Sequence, residues 1–141
     1  MNAGRAVAAG LGGTAAMTML MLAAPLMGLP PMPVGEMLGG FLHIGAAAGW
    51  AMHFAIGAML AVFYAAVLAQ RLKGPAAARG MVYGVAVFLL AQLVVMPMMG
   101  AGVFSGGNVL MIMGSLMGHL VYGGIVGAGY GSAPALNVAE V

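Results

Sequence analysis

The sequence predicts an all-α, polytopic membrane protein with four transmembrane helices, arranged as two pseudo-symmetric helical hairpins, and three observations carry that prediction. Of 141 residues, 64% are apolar and only 4% charged, against roughly 25% charged in a soluble domain. Between the six charges, Arg5, Glu36, Arg71, Lys73, Arg79 and Glu140, lie three uncharged stretches, 6–35, 37–70 and 80–139, each longer than the roughly 20 residues that cross a bilayer. Alternating segments of about ten residues, the mark of a membrane β-barrel, are missing from the sequence.

The first helix is expected over about 6–28, ending at the breakers of "APLMGLPPMPVGE". Its apolar run exceeds the 7–15 residues of a secretory signal core and further spans follow, so it reads as a membrane span and not a cleaved leader. Met37 to Gln70 is too long for one upright crossing; Gly39, Gly40 and Gly45 suggest a short interfacial piece leading into a second helix over about 44–69. "QRLKGPAAAR" reads as a polar loop, a third helix follows over about 80–97, and after the irregular "PMMGAGVFSGGN" a fourth runs over about 109–130. The segment 131–141 reads as a loose tail to a single transmembrane domain covering 1–141.

Arg71, Lys73 and Arg79 fall between the second and third spans and Arg5 precedes the first. The positive-inside rule then places both termini in the cytoplasm of a cell whose inner (plasma) membrane the chain crosses. A pI near 9.4 rests on four basic residues, too few for a nucleic-acid-binding surface. With no cysteine, there is neither a disulfide nor a thiolate ligand, and no GxxxxGK[ST], GxSxG or HExxH motif occurs. An enzyme is therefore the less expected class.

The halves repeat one spacing. His53, Gly57, Ala61 and Tyr64 are matched by His119, Gly123, Gly127 and Tyr130, Arg5 and Gly10 by Arg79 and Gly84, and "PLMG" by "PMMG". Two like-oriented hairpins imply a twofold axis along the membrane normal. His53 and His119 then lie about nine and ten residues into their helices, roughly 14 Å deep and near the bilayer midplane. Steps of four give the stripes Gly45, Gly49, His53, Gly57, Ala61 and Ser115, His119, Gly123, Gly127. Small-residue stripes mark packing faces, so both imidazoles should point into the bundle or an oligomer interface.

Four uses of these histidines are open. Each can act as helix-to-helix glue through Thr14, Thr18, Gln92 or Ser115. The pair can ligate haem b, with Gly57 and Gly123 leaving room for the macrocycle. A proton or small-solute path is the third, with Glu36 and His43 as its outer mouth. Copper is the fourth: thioethers suit Cu(I), and Met17/Met21 and Met113/Met117 are one helical turn apart, although methionine also serves as a flexible filler. The leading functional expectation is a non-catalytic structural or accessory subunit of a membrane complex, or a homo-oligomer, with the lipid bilayer as its surroundings.

"GGTAAMTMLMLAAPLMGLPPMPVGEMLG", "GWAMHFAIGAMLAVFYA" and "GHLVYGGIVGAGYG" together resemble a family of small bacterial and archaeal four-span membrane proteins known as a domain of unknown function. The likeness covers nearly the whole chain, and its most specific elements are the "APLMGLPPM" turn and the two His-x-x-x-Gly helices at His53 and His119. The resemblance implies a four-helix membrane fold and carries over no activity, ligand set or catalytic residue.

Overall fold

The computed structural model describes residues 1–131; the tail expected beyond Gly131 lies outside the described residues. Among the described residues every regular element is helical. Helix α1 (Ala3–Ala23) starts at Asn2, whose side chain accepts from the Arg5 N–H at 3.0 Å, and tightens into a 3₁₀ turn over Ala24–Met27 as Pro25 approaches. A short α2 (Val34–Phe41) precedes α3 (Ala46–Phe63), which continues through a π turn over Tyr64–Leu68. Helix α4 (Ala76–Leu90) likewise runs through a π turn, Ala91–Val95, into the single turn α5 (Met96–Met98). After an irregular link comes α6 (Val109–Tyr130), with the Asn108 side chain accepting from the Met111 N–H at 3.2 Å.

Four continuous helical stretches, of 25, 23, 23 and 22 residues, are long and apolar enough to cross a membrane. At 1.5 Å per residue each exceeds the roughly 30 Å of hydrocarbon. The chain is a multi-pass membrane protein, and many large apolar side chains, such as Met19, Leu22, Val82 and Leu90, are exposed on the outside of the bundle. Small residues point inward, because lipid is as apolar as leucine and helices gain by close backbone approach instead.

One boundary differs from the sequence expectation. The third span begins at Ala76 and not near Gly80, since Pro75 followed by three alanines starts a helix readily. Arg79 is consequently buried in that helix, its guanidinium donating back to the carbonyls of Ala69 and Leu72 at the end of the preceding span. A basic side chain there satisfies carbonyls that the helix end leaves over.

The helices pack α3–α1–α6–α4, with α2 lying on α3. Contact between α4 and α6 is glycine on glycine: a Cβ at Gly80 would strike the Gly123 carbonyl and lie 2.7 Å from Gly127 Cα, and one at Gly127 would strike Ala76. Gly49 is equally confined, against the carbonyl of Gly35 in α2. Gly45, expected in the same packing stripe, is instead the residue before α3, exposed, with φ of 80° and nothing within 4 Å of its would-be Cβ. Only glycine takes that backbone turn freely, so its role is conformational.

Candidate functional site

Helices α3 and α4 are held together at the Arg79 end by tyrosines. Tyr83 donates to the Leu60 carbonyl at 2.8 Å and packs against Tyr64 with the rings tilted by 37° and their centres 5.2 Å apart, while Tyr130 meets Tyr64 edge-on. One layer further in, the Tyr122 hydroxyl donates to the Gly57 carbonyl at 2.6 Å, tying α6 to α3. Above this layer the helices do not close. A cavity of about 280 Å³ lies between α1, α3, α4 and α6, with the α2 segment toward its far end.

His53 and His119 both line that cavity. They are the eighth residue of α3 and the eleventh of α6, about 10 and 15 Å from the starts of their helices. His119 is 7% exposed, with Phe88 edge-on to its ring at 5.9 Å. Its Nδ1 lies 2.7 Å from the Ser115 carbonyl oxygen. A carbonyl can only accept, so Nδ1 carries the proton and Nε2 keeps its lone pair. Nε2 has no hydrogen-bond partner among the described residues. The Ser115 hydroxyl lies 3.4 Å from the same Nδ1, a nitrogen already protonated and so unable to activate it as a nucleophile. His53 is half-buried, with Nε2 3.3 Å from the Thr18 hydroxyl and Trp50 edge-on at 5.9 Å.

The third polar group is Gln92, 0% exposed, inside the π turn of the third span. Its Oε1 accepts from Ser105 at 2.9 Å, its backbone carbonyl accepts from the Phe104 N–H at 3.1 Å, and its Nε2 has no partner. Whichever way the amide is turned, Ser105 satisfies only one end. Holding Ser105 there requires two successive left-handed residues, Phe104 with φ of 47° and Ser105 with φ of 52°, each costing about 1–3 kcal/mol.

The remaining candidates divide. Met17 and Met21 line the cavity, whereas Met113 and Met117 are half-exposed and line a second, smaller cavity of about 90 Å³ beside Met27. Gly57 lines the main cavity, but a Cβ there would strike the Thr14 hydroxyl; Gly123 is pressed on Gly80 and Gly84. Both glycines thus serve helix contact, and neither opens a slot for a flat macrocycle. Glu36 and His43 are exposed and outside the cavity lining, which is met at that end by Met32, Val34, Met37 and Leu38. Gln92 had a sequence signal, as an amide within an uncharged run; Tyr122, three residues after His119, had one too, on the same helical face. Ser105 had none.

Among known proteins, the chain matches no curated protein and no solved structure. Residues 1–138 match the model of a family described as being of unknown function, DUF6789.

Proposed function

The chain belongs to that family, which brings no activity with it, and we propose from the cavity itself that the protein is a non-catalytic membrane module that holds a small ligand between its helices. The observation that carries this reading is the convergence of His53, His119 and Gln92 on one cavity with apolar walls. Buried polar groups without partners cost about 1–3 kcal/mol each. Interiors are otherwise filled to near-crystalline density. An unpartnered amide nitrogen and an available imidazole lone pair beside about 280 Å³ of space are the features a polar group of a bound molecule would resolve.

Simple helix adhesion accounts for His53, which has Thr18, but leaves Gln92 and the space unexplained. Haem is not favoured: Gly57 and Gly123, which would have to leave room for the macrocycle, are closed by Thr14 and by Gly80 and Gly84.

Intact-mass spectrometry of protein released from detergent tests the reading. Wild type should carry an added mass, and Ala91→Phe, which fills the cavity from the third span, should emerge bare. A bare wild type, or an adduct that survives in Ala91→Phe, overturns it.

A further inference from the structure

Methionine is concentrated at this cavity. Seven of the 16 methionines in the chain line it, whereas the other nine are spread over the rest of the sequence. They come from separate elements: Met17 and Met21 from α1, Met32 and Met37 from the link and α2, Met59 from α3, and Met96 and Met99 from the end of the third span. Met17 and Met21 are buried in the core, and Met17 lies along Gly118, next to His119. As filler, leucine would serve equally in these positions, and volume-conserving exchanges between the two are generally well tolerated. What methionine adds is a polarisable thioether, a donor for soft metal ions.

The polar groups narrow the ion. Among the described residues no cluster of three His, Asp or Glu exists that could hold a hard or borderline cation, and the cavity lining contains no carboxylate. A divalent ion would sit there without countercharge, at heavy desolvation cost. A monovalent soft ion needs none of those ligands: neutral thioethers and one imidazole suffice. His119 is arranged as metal-bound histidines generally are, with the far ring nitrogen donating to a backbone carbonyl and the near one left as a lone pair.

We infer that the ligand of this cavity is Cu(I), held by Nε2 of His119 and the thioethers of Met17, Met21 and Met32; the inference rests on the cavity being a binding site and names its occupant. The second cavity supplies an approach. Met21 and Met32 line both cavities, and the outer one adds Met27, Met113 and Met117. Thioethers therefore run from a groove on the outside of the bundle to the histidine within it, and a monovalent ion can pass between them by ligand exchange, without a change in oxidation state. Met113 and Met117 then belong to the entrance and Met17 and Met21 to the site.

Competition for Cu(I) against bicinchoninate, run anaerobically with ascorbate on the full chain in detergent, tests this. Wild type, first stripped of its bound ligand with excess chelator, should withdraw one equivalent. The Met17→Leu/Met21→Leu double variant, which keeps apolar volume, should bind at least tenfold more weakly, whereas Met19→Leu/Met52→Leu, on exposed positions, should match wild type. Titrating Ag(I) into protein labelled at methionine methyls should shift Met17, Met21 and Met32 but leave Met19 and Met52 in place. Wild type that leaves the bicinchoninate complex intact, or double-leucine protein that binds like wild type, overturns the inference. If copper fails but an organic mass is retained by wild type and lost in Ala91→Phe, only the metal assignment falls; if neither is retained, the binding-module reading falls with it.

Discussion

Gly84→Ala and Gly12→Ala are the same chemical change in two membrane helices, and the structure gives them opposite outcomes. Both replace glycine by the best helix former, a gain of roughly 1 kcal/mol. At Gly12 a Cβ would find nothing within 4 Å. At Gly84 it would strike the His119 carbonyl oxygen, with the carbonyl carbon at 3.1 Å and Gly123 Cα at 3.3 Å. These are backbone atoms of α6, unable to rotate aside, and restoring ordinary contact at 3.5–4.0 Å moves the helix by on the order of 1 Å. Overpacking of this kind costs about 1–3 kcal/mol. Since the propensity gain cancels between the two variants, that cost is the expected difference in their unfolding free energies. Reversible unfolding in mixed dodecyl sulfate and maltoside micelles, followed by circular dichroism, measures it. Equal stabilities, or a more stable Gly84→Ala, would refute the glycine-on-glycine account of the α4–α6 contact. Because the obstructing atom belongs to His119, Gly84→Ala should also release the ligand of the cavity.

Tyr122→Phe removes the hydrogen bond to the Gly57 carbonyl and should cost about 0.6–1.7 kcal/mol in the same assay. Asn108→Ala deletes the side-chain cap of α6 and should cost about 1 kcal/mol, with amide exchange accelerating first at residues 109–112. In Gly35→Ala the new methyl would strike the indole of Trp50, the chain's only tryptophan; a changed emission maximum is expected, and an unchanged one would show that α2 does not rest on that ring.

The spans were legible because hydropathy over twenty residues is a bulk property, independent of which neighbour each side chain meets. The four stretches that this property marks out are Ala3–Met27, Ala46–Leu68, Ala76–Met98 and Val109–Tyr130. Arg79 was misplaced in a loop because a charged side chain reads as a boundary, whereas here it caps the carbonyls of Ala69 and Leu72 from inside a helix. The inward direction of His119 followed from its small-residue stripe. Which methionines share its cavity did not follow, since Met17 and Met113 are alike in sequence context and are separated only by how α1 and α6 are turned. Gln92 was legible as a polar residue in a span but not as an unsatisfied one. Its one side-chain partner is Ser105, brought to it by two left-handed residues with no sequence mark.

A π turn holds one residue more than an α turn, and one residue is about 100° of rotation. The extra residue within Ala91–Val95 thus acts as a fixed angular offset between the two ends of the third span. Deleting Leu93 would let the helix wind evenly and swing Met96 and Met99 off the cavity wall, leaving His53 and His119 untouched. The span is in effect two helices with independently set azimuths, and a single codon separates a methionine-lined chamber from one with an altered wall.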